Sequence, residues 1–144
     1  MYRVKQLSVF LENRKGSLAA ATQLLGASGL NLLALSIAET DNYGIARMIV
    51  SNTDDGSNRL RASGYTVLTT DVLVACVPDR PNGLTEILRI LEKEDISVEY
   101  LYSFVRNSGF NALIIFRVSD TERAIEILKG HDIEMLTQDQ VDAL

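Results

Sequence analysis

ENRKGSLAAATQLLGASGLN, residues 12–31, runs from a turn-forming cluster into a helical pattern and ends at the edge of an apolar run; PDRPNGLTEILRILEKEDIS, residues 78–97, does the same. In the first, Leu18, Ala21, Leu24 and Leu25 gather on one helical face, as Leu84, Ile87, Leu88 and Leu91 do in the second. Working outward, VKQLSVFL alternates well enough for a strand before the first helix, and Asn13-Arg14-Lys15-Gly16 breaks it. Gly29 stops the first helix, and Lys93-Glu94-Asp95 stops the second less sharply. NLLALSIAE and SVEYLYSFV then join GIARMIVS and NALIIFRVS through the turn signals Asp41-Asn42-Tyr43-Gly44 and Arg106-Asn107-Ser108-Gly109, which predicts two hairpins.

The chain is one unit written twice. Arg80 minus Arg14 and Gly130 minus Gly64 both give an offset of 66, which reads without a gap. At that offset Leu7 meets Leu73, Leu25 meets Leu91, Ala46 meets Ala112, Ile49 meets Ile115 and Asp54 meets Asp120. A second helix follows each hairpin. Ser119-Asp120-Thr121-Glu122 reads as a capping box, Thr53-Asp54-Asp55-Gly56 opens a weaker and shorter helix, and Gly64 and Gly130 stand where left-handed caps would. YTVLTT and DIEML close the units as last strands, and QDQVDAL adds a short helix. The fold class predicted is α+β: two ferredoxin-like βαββαβ units in tandem, with antiparallel sheets and helices on one face, as domains 1–70 and 71–144.

Two helices cover only one face of such a sheet, yet the other face also reads apolar. Leu33, Leu35 and Ile37 are expected on one side and Leu32, Ala34 and Ala38 on the other, while Leu101 opposes Tyr100, Tyr102 and Phe104. Burying the second face calls for the units to pack on each other, or for two chains to pair as a homodimer.

A hydrophobic content of 47% supports a packed core, and a net charge of -5 without a basic run argues against a nucleic-acid or anionic membrane footprint. The third strands, with Phe116 as the one aromatic, lack the stacking platform of an RNA-binding sheet of this topology. No segment approaches the roughly 20 apolar residues of a membrane span, and the N-terminal apolar run is too short for a signal peptide, so the chain is expected in the cytoplasm. Cys76, inside VLVACV, reads as a buried and inert thiol, and His131, in a turn, as a solvated residue rather than a general base. No metal-ligand spacing, phosphate-cradling glycine loop or nucleophile elbow is present, so no catalytic residue, metal or cofactor is expected and the chain reads as a non-enzyme.

What remains is the strand-to-helix loop. A glycine turn ahead of a helix lets backbone N–H groups approach a ligand, and the helix dipole favours a carboxylate there by about 0.3–2 kcal/mol. Gly16 and Asn82-Gly83 also serve simply as a tight turn, and spacing leaves both readings open. At this level the sequence resembles a tandem ACT-domain protein, from Val4 to Leu136. That family's first loop has the form Asp/Asn-x-Pro-Gly-x-Leu, and its first helix ends in Gly-(Ile/Leu)-Asn-Ile. Asn13-Arg14-Lys15-Gly16-Ser17-Leu18 and Gly29-Leu30-Asn31-Leu32 match this, with Lys15 in place of the proline. Asp79-Arg80-Pro81-Asn82-Gly83-Leu84 keeps the proline and moves the glycine one place. The resemblance implies a regulatory protein that binds a free amino acid at ACT–ACT interfaces. On it, Asn13, Lys15, Gly16, Ser17 and Leu18 form the first candidate site with Asn31 beside it, and Asp79, Asn82, Gly83 and Leu84 a second. Amides of residues 16–18 would take the carboxylate, and Asn13 or Asp79 the ammonium group. The implied partners are an amino acid, a second copy of the chain and a metabolic enzyme. The alternative is a constitutive regulatory or interaction subunit of an amino-acid biosynthetic enzyme that binds no ligand of its own.

Overall fold

The structure is a computed structural model that describes residues 1–39, 42–105 and 111–144. Its elements are β1 (Val4–Glu12), α1 (Ser17–Ala27), β2 (Leu32–Glu39), β3 (Tyr43–Val50), α2 (Thr53–Ala62), β4 (Val67–Pro78), α3 (Gly83–Lys93), β5 (Val98–Ser103), β6 (Asn111–Val118), α4 (Thr121–Gly130) and α5 (Gln138–Asp142). They form two compact units, one of Lys5–Thr70 with Asp142–Leu144, the other of Asp71–Val141 with Met1–Val4. The fold is α+β, two ferredoxin-like units in tandem, each an antiparallel sheet with its helices on one face. Asp41 and residues 106–109, read as turn signals, lie outside the described residues.

In the first unit β3 lies between β2 and β1, antiparallel to both, and Met48 stands opposite Leu7 on one side and Leu35 on the other. Leu7, Val9, Leu11, Ala46, Met48 and Val50 share the face covered by α1 and α2, where Ala21, Leu25 and Leu60 pack with them. Each large aliphatic side chain buried there stabilises the unit by about 1.5–3 kcal/mol. In the second unit β6 pairs with β4 and β5, and Leu73, Ala75, Val77, Phe116 and Val118 meet Ile87, Leu91, Ala124 and Leu128 of α3 and α4.

All four long helices end the same way. Leu30, Tyr65, Ile96 and Ile133 donate their N–H groups to Leu25, Leu60, Leu91 and Leu128 O at 3.0–3.1 Å, each just after a residue at positive φ. This is the Schellman closure with its apolar residue beyond the left-handed position. The left-handed residues are Gly29, Gly64, Asp95 and Asp132. Gly130, expected as a cap, is instead the last residue of α4, because Asp132 tolerates αL through its short polar side chain.

That displacement exposes a change of register in the repeat. Leu7 opposes Met48 and Leu73 opposes Phe116, so β3 and β6 correspond at an offset of 68, whereas α1 and α3 correspond at 66. The two extra residues fall between β5 and β6, so the gap-free reading is wrong from β3 onward and the matches of Ala46, Ile49 and Asp54 are coincidental. The true helix caps follow the offset of 68: Asn52 Oδ1 accepts from Asp55 N, and Asp120 Oδ1 from Arg123 N, both at 3.1 Å. Ser119 is therefore not the N-cap. Its Oγ accepts from Ser97 N at 3.0 Å, as Ser51 Oγ accepts from Asn31 N at 2.9 Å. Nor is α2 shorter than α4, since both have 10 residues.

Three further expectations are corrected. A bulge between Leu32 and Ala34 shifts the alternation by one, so Leu32 joins Leu35 on the helix side and Leu33 falls at the irregularity. YTVLTT is not a separate strand, because β4 runs unbroken from Val67 to Pro78 and the division between Thr70 and Asp71 falls inside it. DIEML is reduced to a bridge between Met135 and Ala75, held by Cys76 N to Glu134 O at 2.8 Å and Leu136 N to Val74 O at 3.0 Å. The short C-terminal helix is present. A reciprocal capping box starts it, with Gln140 N donating to Thr137 Oγ1 and Thr137 N to Gln140 Oε1.

On the faces away from the helices Ala34 and Ile49, and in the second unit Val74, Leu113, Ile115, Tyr102 and Phe104, are buried. Polar Gln6 is fully buried there too, donating from Nε2 to Ser8 Oγ at 3.3 Å. Cys76 is buried as expected, and desolvation, aided by the Glu134 carboxylate, pushes its thiol above the ordinary 9.0. His131 is exposed, donating from Nδ1 to Ile127 O at 2.9 Å.

Candidate functional site

The loops ahead of α1 and α3 share one pattern of backbone hydrogen bonds despite their different glycines. Arg14 N donates to Glu12 O, Ser17 N to Arg14 O and Ala20 N to Gly16 O; Arg80 N donates to Pro78 O, Gly83 N to Arg80 O and Glu86 N to Asn82 O, all at 2.9–3.2 Å. Gly16 and Asn82 are the left-handed residues of the two loops, at φ 90° and 66°. The glycine that moved one place does not alter the turn, because Asn82 fills the αL position. Gly83 serves a different purpose: a Cβ there would lie 2.1 Å from Pro78 O, so the backbone passes where no side chain fits.

These bonds also change the expected ligand chemistry. Ser17 N is already tied to Arg14 O, so among the amides of residues 16–18 it is not open to a carboxylate as the loop stands. Neither Gly16 nor Asn82 gives its helix a side-chain cap. The first turn of α1 has no acidic residue, while that of α3 carries Glu86, gripped by Arg80 Nη2 at 3.0 Å to both carboxylate oxygens.

In the first unit the loop opens onto a cavity of about 530 Å³. Glu12, Arg14, Lys15, Gly16 and Ser17 line one side, Ser63, Gly64, Tyr65 and Thr66 the other, with Phe10, Leu11 and Ala20 between them. The fold makes this meeting unavoidable: α1 leaves the end of β1, α2 returns to that end, and Phe10 N donates to Thr66 O at 3.0 Å. Glu12 is paired with Arg14 at 3.2 Å. A smaller cavity of about 130 Å³ beside it takes in Asn13, Leu18, Ile37 and Gly44. Lys15, Gly16 and Ser17 thus share one cavity, and Asn13 and Leu18 the other, with Ser17 reaching both.

Asn31 is not beside the loop. The 11 residues of α1 separate them, a span of about 16 Å at 1.5 Å per residue, and its N–H is bound to Ser51 Oγ. Asp79 and Asn82 are exposed in the second loop, Gly83 is buried against Pro78, and Leu84 packs on its own unit's core. Residues 63–66 escaped the sequence reading. Their signal was Gly64, which marks where α2 ends, combined with a topology that brings that end to the start of α1. Among the described residues no group of His, Cys, Asp or Glu is placed to hold a metal ion, and no helix is long and apolar enough to cross a membrane.

The family model described as ACT domain pair matches residues 2–144. Among solved structures, protein BT0572 from Bacteroides thetaiotaomicron is similar at 36% identity, covering 99% of this chain and 98% of that one, with a TM-score of 0.93. The ligand-free regulatory subunit of aspartate kinase from Thermus thermophilus shares the fold at 12% identity, 88% and 91% coverage and a TM-score of 0.62. The Thermus flavus regulatory subunit does so at 9% identity, 90% and 93% coverage and 0.61. No curated protein matches the chain.

Proposed function

Because the chain belongs to the ACT domain pair family, we propose that it is a non-catalytic regulatory protein that senses a free amino acid through the loop of residues 13–18. The observation that carries this reading is the cavity of about 530 Å³ at the uncapped, acid-free start of α1, with Lys15, Gly16 and Ser17 on its wall. A ligand carboxylate there meets the positive helix end and the Lys15 ammonium group, a contact of about 0.3–2 kcal/mol for the dipole alone. The family supports a cytoplasmic homodimer whose paired ACT units complete the ligand site. The regulatory subunits of aspartate kinase that share the fold favour an enzyme of amino-acid metabolism as the target. Coupling of about 1–3 kcal/mol between ligand and enzyme would suffice for regulation.

Calorimetry and thermal-shift measurements against the twenty amino acids test this. Saturable binding of at least one, weakened by Lys15→Met, is expected. Silence across the set at millimolar concentration would leave the second reading, a constitutive subunit. One observation favours that second reading: Ser17 N and Gly83 N both close on their own loops, which therefore hold their shape without a ligand.

A further inference from the structure

β2 and β5 are edge strands, each bonded on one side only among the described residues, to β3 and to β6. Such an edge presents a row of unpaired N–H and C=O groups, which proteins guard with charges, prolines or bulges. β5 is guarded: Glu99 stands at the bulge between Val98 and Tyr100 and pairs with Arg117 at 3.4 Å. In β2 the bulge lies ahead of Ala34, and from Ala34 to Ala38 the strand keeps one register and carries neither charge nor proline. Leu35 and Ile37 stand there on the helix side, opposite Met48 and Ala46, yet Ile37 is 48% exposed.

Ala34-Leu35-Ser36-Ile37-Ala38 reads alike in both directions by side-chain class. A strand that pairs antiparallel with its own copy needs that symmetry, because directly opposed residues project to the same face. With a two-fold axis at Ser36, Leu35 covers Ile37 of the second copy on the helix side. Ala34 meets Ala38 on the other face, and the two Ser36 hydroxyls oppose each other. We propose that β2 pairs antiparallel with β2 of a second copy about this axis, joining the two first-unit sheets across the dimer. A strand of foreign sequence would ask for no palindrome in β2. Self-pairing also brings no like charges together along residues 34–38, in a chain whose net charge is -5. The inference rests on the homodimer reading above and names the strand that makes the contact.

Sedimentation of the full chain tests it. A dimer is expected, weakened about tenfold or more by Ile37→Lys, which sets an ammonium group against Leu35 of the second copy. Leu101→Lys, at a 37% exposed position of β5, leaves the dimer unchanged. Two cysteine variants read the register. In Ser36→Cys the thiols meet at the axis, within the Cα separation of about 4.4–6.8 Å that a disulfide spans, and mild oxidation cross-links the chains. In Ala38→Cys they lie about 13 Å apart along the strand, at about 3.3 Å per residue, and no cross-link forms. Cys76 is buried and takes no part. Circular dichroism shows whether Ile37→Lys folds, and if it does not, the cysteine pair decides. A dimer indifferent to Ile37→Lys, or one that Ala38→Cys cross-links as readily as Ser36→Cys, would refute the β2 contact while the homodimer stands. A parent chain that sediments as a monomer would remove both.

Discussion

Replacing Gly83 by alanine should destabilise the second unit severely for so small a change. The added Cβ would lie 2.1 Å from Pro78 O and 3.2 Å from Pro78 C, where real Cβ atoms essentially never come within 3.0 Å of another atom. At least 0.9 Å of movement (3.0 minus 2.1) must come from backbone. The oxygen in question also accepts Arg80 N at 2.9 Å, and Gly83 N is bonded in turn to Arg80 O at 3.0 Å, so the turn cannot open without loosening these bonds. Overpacking costs about 1–3 kcal/mol and a weakened backbone hydrogen bond about 1, which gives about 2–4 kcal/mol in total. For a chain of this size that corresponds to a fall in Tm of roughly 5–15 °C. Urea unfolding followed by far-UV circular dichroism is the suitable assay, since the chain has no tryptophan. Two controls sharpen it. Ser17→Ala, at the equivalent position of the first loop, should stay within about 0.5 kcal/mol of the parent. Gly16→Ala has open space around its Cβ and should lose only the left-handed penalty of about 1–2 kcal/mol. A Gly83→Ala protein within about 0.5 kcal/mol of the parent would refute the close-approach argument.

Asn52→Ala and Asp120→Ala should each cost about 1 kcal/mol in urea unfolding, whereas Ser119→Asp should not rescue Asp120→Ala, because the capped helix starts one residue later. Cys76 should resist thiol reagents in the native chain and react promptly in urea. Its raised pKa makes the native state hold its proton longer than the unfolded one. Stability is therefore indifferent to this group below its ordinary 9.0 and falls as pH rises beyond it, an effect that Cys76→Ser should abolish in pH-dependent unfolding.

Where the sequence pattern could be read and where it could not is clearest in the loops. The helical faces of Leu18, Ala21 and Leu25 and of Leu84, Ile87 and Leu91 are set by a period of 3.6, and these residues are the ones that meet the sheets. Gly16 announced its turn because glycine is the usual left-handed residue. Asn82, Asp95 and Asp132 did not, since an Asn or Asp in αL looks like any polar loop residue. The candidate site was half legible: Lys15, Gly16 and Ser17 share a cavity wall, but the facing wall of Ser63 and Gly64 comes from a helix about 45 residues further on. Asn31 was grouped with the loop by motif and parted from it by the length of α1.

Composition, apolar period and turn residues were enough to determine that this chain holds two like units of strands and helices, because those signals are local and each side chain carries its own share of them. The change of offset from 66 to 68 was decided by tertiary structure, since only the pairing of Leu7 with Met48 and of Leu73 with Phe116 fixes which residues face each other. So was the cavity. Helix ends far apart along the chain acquire a common electrostatic field only when the sheet between them sets both at the same edge.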